Sequence, residues 1–253
     1  MSSEKKRSFW RALLDGLASF ILWICNVRVR IEGKELLPED GRFLLVSNHL
    51  SAFDPIVLIH LLKKRGMLFV SKPENFKIPI AGFLMKKSGF LAIDRDNARN
   101  AIGTIYEAAD YLAADSGPVV IYPEGTRNKT PGNGLLPFHN GVFKIAKRAK
   151  APVVVTVVTG TDKVKDGAPF KRTGVALKIL DVIDSQYVSQ HNDKDTGDRA
   201  YAAMSAALGS GNDAGKALRG SGGHAGTAAE TESRGTIVSV AVSPEVLSPE
   251  SAS

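Results

Sequence analysis

From residue 27 to residue 208 short runs rich in Val, Ile and Leu alternate with longer stretches of helical period. What fits is an α/β fold: a mixed, largely parallel sheet of about seven strands with crossover helices on its flanks. The candidate strands are "VRVRIEG", "RFLLVS", "MLFVS", "FLAID", "PVVIY", "VVVTVV" and "VALKIL". Candidate helices cover Pro55–Lys64, Ile78–Lys87, Asn97–Ala114, Gly141–Ala149 and Asp198–Leu208.

This block, residues 28–208, is read as one domain, with a separate segment on each side. Residues 209–253 turn to Gly, Ala and Ser without apolar period, too little hydrophobic surface to order a chain, and are expected to form a flexible tail. The run "TIVSVAV" within it has strand character and no evident partner. Residues 1–27 place Lys5, Lys6, Arg7 and Arg11 around an apolar pattern of Trp10, Leu13, Leu14, Leu17, Phe20, Ile21 and Ile24. No small-residue cleavage site follows, and Arg11 and Asp15 interrupt the stretch, which leaves too short a clean run to cross a bilayer. The expectation is an amphipathic helix lying on an anionic membrane surface, the alternative being a helix packed on its own domain.

A formal charge of +7 favours an anionic partner. Nucleic acid fits least, because the cations fall at strand exits rather than in a stripe and aromatic residues are only 7% of the chain. A single cysteine, Cys25, excludes an intramolecular disulfide and any CxxC motif, and no metal-binding cluster is visible.

In open α/β sheets ligands bind beyond the carboxyl ends of the strands. The unusual polar residues gather there: Asn48, His49 and Asp54 after "RFLLVS", Lys72 after "MLFVS", Arg95 after "FLAID", and Glu124, Gly125, Thr126 and Arg127 after "PVVIY". A neutral imidazole, with an unperturbed pKa near 6.5, is suited to taking a proton from an alcohol, and Asp54 is placed to orient it. Asp54 before Pro55 also reads as a helix N-cap, a role compatible with the first. In "YPEGTRN", Gly125 exposes backbone amides and Arg127 offers a planar fork for phosphate. Glu124 is placed to accept from a substrate hydroxyl or to hold Arg127; an ordinary turn with a surface ion pair is the plainer alternative.

With these residues assembled, the chain resembles the 1-acylglycerol-3-phosphate acyltransferase family. "NHLSAFD" is similar to its NHxxxxD block, "GFLAIDR" to its second, "YPEGTRN" to its third and "APVVVTV" to its fourth, in order, within residues 30 to 180. "SKPEN" and "LPFHNGVFKIA" resemble the segments between and after them. His139, at a position that is often basic, is expected at the surface, and His60 on a helix; His191 and His224 have no partner at a telling spacing. Ala92 stands where an aromatic residue is frequent and Val155 where a second proline is, departures expected to alter the acyl groove rather than the reaction.

The resemblance implies transfer of a fatty acyl group from acyl-CoA or acyl-carrier protein to the sn-2 hydroxyl of a membrane-borne 1-acylglycerol 3-phosphate, giving phosphatidic acid. It implies no cofactor, and a monotopic protein on the cytoplasmic face of a membrane. His49 and Asp54 are then the catalytic pair, and Lys72, Arg95, Glu124, Gly125, Thr126 and Arg127 bind substrate. Alternatives are another acceptor, such as glycerol 3-phosphate or a different lysophospholipid, and a non-catalytic membrane module. A hydrolase is disfavoured because no GxSxG elbow is present.

Overall fold

In a computed structural model, described over residues 3–39, 41–94, 97–130 and 134–220, seven strands form one sheet. They are β1 (Val27–Glu32), β2 (Leu44–Ser47), β3 (Leu68–Ser71), β4 (Leu91–Ala92), β5 (Val119–Ile121), β6 (Val153–Thr159) and β7 (Thr173–Ile183). Their order is β1-β7-β6-β2-β5-β3-β4. The strands from β6 to β4 run parallel to one another; β7 is antiparallel to β6, and β1 is parallel to β7. The expected mixed sheet is therefore present with every expected strand.

Both faces of the sheet are covered, which is why its central strands read as continuous apolar runs rather than alternating ones. Leu44, Val46, Val119, Ile121, Val153 and Val155 face one core, shared with α4 (Ala98–Ala113), α5 (Lys144–Ala149), α7 (Ser185–Gln190) and α8 (Asp193–Gly220). Leu45, Val120, Val154 and Val158 face the other, with α1 (Ser3–Ile24) and α2 (Asp54–Leu61) upon them. Val155 thus fills the interior, not the wall of a groove. The short helices α3 (Ala81–Ser88) and α6 (Val164–Gly167) complete the fold.

Helix bounds differ from expectation in informative places. α7 was not foreseen, because six residues give too little period to recognise; its start is capped by Asp184, whose side chain accepts from Tyr187 N. α8 continues past Leu208 to Gly220. Residues 221–253, including "TIVSVAV" and His224, lie outside the described residues.

α1 is a helix as expected, but its two interrupting charges turn inward. Asp15 is buried and its Oδ2 accepts from Lys64 N at 3.0 Å, past the end of α2. Burial pushes the Asp15 carboxyl up, against the opposing pull of that amide, Lys63 and Arg11. Arg11 donates from Nε to the carbonyl of Ser88 at 3.2 Å, the last residue of α3, and lies over the Tyr111 ring. Arg11 therefore serves the protein's interior rather than a headgroup. Ala18 and Leu22 are buried, Leu14 and Cys25 pack beside them, and Phe9, Leu13, Phe20, Trp23 and Ile24 are exposed. Among the described residues, no helix is long and apolar enough to cross a membrane.

Candidate active site

The connection from β2 to α2 is fixed to the strands on both sides of β2. Asn48 extends the β2–β6 pairing with its side chain: Nδ2 donates to Val158 O at 2.9 Å, and Val158 N donates to Oδ1 at 2.7 Å. A wholly buried amide that completes a backbone ladder is well satisfied, and it holds the following residue at the strand exit. On the other side His49 N donates to Glu124 Oε1 at 2.8 Å, and Asn128 N donates to His49 O at 2.7 Å. Both backbone groups of His49 are thus tied to the loop after β5.

The side chains of His49 and Asp54 meet, Nδ1 to Oδ2 at 2.8 Å. Asp54 is fully buried, while the His49 side chain keeps 16% of its surface exposed. Oδ2 also accepts from the amides of Leu50 and Ser51 at 2.6 and 2.8 Å, and Oδ1 accepts from Thr161 Oγ1 at 2.5 Å. This wealth of donors is what allows a carboxylate to sit wholly buried. An ionised Asp54 accepting from Nδ1–H leaves Nε2 as the imidazole's proton acceptor. Opposite the pair, the Tyr122 ring stacks on His49 at 4.1 Å, with 11° between planes. Burial, and then the Asp54 charge, push the Tyr122 phenol well up.

The N-cap reading of Asp54 is corrected. α2 begins at Asp54 itself, with Phe53 before it and Pro55 in the first turn. The carboxylate points back to amides that precede the helix, so His49, its own loop and Thr161 use its acceptor capacity.

Glu124, which holds the His49 amide, also lines a polar recess of about 330 Å³, with Lys72, Glu74, Asp94, Gly125, Thr126 and His139 among its other walls. Lys72 and Thr126 are exposed there, and His139, expected at the surface, joins them. Arg127 is exposed one residue beyond the lining, and Arg95 lies outside the described residues. Gly125 has φ of 73°, a left-handed turn that favours glycine, and its amide donates to Tyr122 O at 3.0 Å. That amide is consequently committed rather than open to substrate.

Glu124 is buried, and instead of holding Arg127 its Oε1 accepts from His49 N and its Oε2 from Leu136 N at 2.9 Å. Burial pushes its carboxyl up, with the Asp54 charge adding to it, while the two amides and His49 pull the other way. It braces the loop that carries His49. Asn48 was noted from sequence without a role, and Thr161 and Tyr122 were not singled out at all. The "N" of "NH" was the one available signal, whereas Thr161 meets Asp54 only through folding, 107 positions along the chain.

His60 and His191 have structural surroundings. Burial, with Lys63 and Lys34 nearby, pulls the His60 imidazole down, and His191 stacks on Tyr187 with Nδ1 2.9 Å from the Tyr187 carbonyl. Among the described residues, no group of His, Cys, Asp and Glu could hold a metal ion.

The family model described as Acyltransferase matches residues 28–159. A coconut (Cocos nucifera) protein named 1-acyl-sn-glycerol-3-phosphate acyltransferase is 35% identical over 141 residues, covering 56% of this chain and 44% of the relative. A Haemophilus influenzae protein of the same name is 29% identical over 163 residues, 63% of this chain and 67% of the relative. The human alpha form is 31% identical over 139 residues, 55% and 48%. The chain thus spans about half the length of most of these relatives. The crystal structure of the 1-acyl-sn-glycerophosphate acyltransferase from Thermotoga maritima has the same fold, with a TM-score of 0.65, 22% identity and 83% of each chain covered.

Proposed function

The chain belongs to the Acyltransferase family, and from that premise we propose that it acylates the sn-2 hydroxyl of 1-acylglycerol 3-phosphate, forming phosphatidic acid. The observation that carries the proposal is the His49–Asp54 pair at 2.8 Å, tied through Glu124 to a recess with Lys72 on its wall. His49 Nε2 takes the hydroxyl proton as the oxygen attacks the thioester carbonyl of acyl-CoA or acyl-carrier protein. Asp54 holds the ring and stabilises the imidazolium. The C–S bond then breaks, and the departing thiolate takes the proton that His49 holds. No nucleophile from the protein is needed, since the acceptor brings its own oxygen and the thiolate leaves readily.

Lys72 and Arg127 supply cations for the acceptor's phosphate, with Arg95 as a third from the sequence. Glu124 keeps His49 in register through its backbone amide while also lining the recess. Holding two substrates in this way lowers a barrier by roughly 7–11 kcal/mol in favourable cases.

The acceptor is a lipid, so the protein works at a membrane surface, on its cytoplasmic face. What supports this is the exposed apolar side of α1, where Trp23 keeps 75% of its surface in water, together with the formal charge of +7. The test is acyl transfer by the purified protein across a panel of lysophospholipids, glycerol 3-phosphate and monoacylglycerol, with both thioester donors. Preferential turnover of 1-acylglycerol 3-phosphate is expected; turnover of another acceptor in its place would reassign the substrate, and none at all would overturn the activity.

A further inference from the structure

The connection between β6 and β7 meets the catalytic pair at its start, through Thr161, and farther along carries the most exposed large apolar side chain among the described residues. Phe170, in "GAPFKR", keeps 95% of its surface in water. Burial of such a ring is favourable, so a fixed, solvated phenylalanine is a ready contact for an apolar phase. Lys163, Lys165, Lys171 and Arg172 are exposed on the same connection, against an exposed Asp166 and a half-buried Asp162.

Topology puts this connection at the sheet edge that carries His49. Ser47 of β2 lies opposite Thr156 of β6, and Asn48 pairs with Val158, so β6 ends at that edge. β7 returns antiparallel with Ala176 opposite Thr159, which places its first residue, Thr173, beyond the end of β6. β1 starts beside it, Val27 opposite Thr173, and Thr173 N donates to Asn26 O at 3.1 Å. The last turns of α1, with Phe20, Trp23 and Ile24 exposed, therefore arrive at the edge where the Phe170 connection ends. Its other end is Thr161, which reaches Asp54.

We propose that residues 163–172 are a second membrane-contact element, in which Phe170 enters the acyl region of an anionic bilayer while Lys163, Lys165, Lys171 and Arg172 meet lipid phosphates. This rests on the membrane-surface reading above and extends it to a segment outside both α1 and the residues matched by the family model. A bilayer touching Trp23 and Phe170 together lies at the edge from which His49 is approached, so docking and acceptor delivery share one geometry.

The experiment is co-sedimentation of the full chain with vesicles of phosphatidylcholine alone or mixed with phosphatidylglycerol. Phe170→Ala is expected to weaken binding by about tenfold or more. Lys171→Ala and Arg172→Ala are each expected to weaken it about fivefold on the anionic vesicles alone. A Phe170→Trp variant, measured as the difference from the parent, is expected to add blue-shifted emission when anionic vesicles are supplied. All variants should melt as the parent does and acylate a water-soluble short-chain acceptor at the parental rate. Parental binding by Phe170→Ala, or unmoved emission from the added indole in a folded Phe170→Trp variant, overturns the contact even if acyl transfer is intact. Phe170-dependent binding by a protein that acylates nothing overturns the acyltransferase reading and leaves the contact standing.

Discussion

At the scale of single residues, the site depends on how fully Asp54 is satisfied. Three donors besides the imidazole hold its carboxylate, and each fixes the direction in which the remaining lone pair meets His49. Replacing His49 by Ala removes the base and is expected to lower kcat by about 10²- to 10⁴-fold with the fold intact by circular dichroism. Thr161→Val keeps the volume and deletes one donor, so kcat should fall several-fold with the acceptor KM nearly unchanged, and Thr161→Ser should restore it. A low-field proton resonance from His49 Nδ1 should move in the valine variant and return in the serine; a resonance and rate that ignore Val would remove Thr161 from the positioning set. Glu124 gives a prediction in pH. Its folded-state pKa is raised above the ordinary carboxyl value of 4.5, chiefly by burial. The native state thus binds that proton more tightly than the unfolded chain, and the group's contribution to stability is present at low pH and lost as pH rises through the window above about 4.5. The unfolding free energy of the parent minus that of Glu124→Gln, from urea titrations at a series of pH values, should fall across that window.

At the scale of elements, α1 explains what could and could not be read in advance. Its helical period is a local property and was legible, as were the seven strands, because a strand buried on both faces is apolar throughout. Which charges on α1 face inward is decided by partners far along the chain, Lys64 for Asp15 and Ser88 for Arg11, and no local spacing encodes that. The site divides in the same way. His49 and Asp54 were legible because they share one loop. Glu124 was legible as a site residue, but of the two roles offered for it the hold on Arg127 is absent, since its bonds run to His49 and Leu136. The inward charges predict that α1 is a structural part of the domain as well as the proposed membrane-contact helix. Arg11→Ala and Asp15→Ala should each lower the unfolding free energy by about 1–3 kcal/mol, the cost of leaving a helix-end group unpaired in a partly buried place. Urea unfolding without lipid measures this, and parental stability in both variants would mean that α1 merely rests on the domain.

For the whole molecule, the arrangement separates two tasks on one sheet edge. In the proposed function, chemistry belongs to the exits of β2 and β6, where Asp54 and Thr161 hold His49, and acceptor recognition to the exits of β3 and β5, where Lys72 and the Gly125–Thr126 turn line the recess. Because the two regions join through Glu124, Asn128 and the Tyr122 ring rather than through Lys72, a cation in the recess can change without disturbing the pair. Lys72→Ala should therefore raise the KM for 1-acylglycerol 3-phosphate by roughly 10-fold or more, the scale of one charge-assisted hydrogen bond, with little change in the donor KM. Arg127→Ala should act in the same direction. The control is an acceptor without phosphate: on monoacylglycerol, however slow its turnover, both variants should match the parent. If Lys72→Ala slows both acceptors alike, the lysine supports the fold of the recess or the reaction itself, and the phosphate must be held elsewhere along this edge.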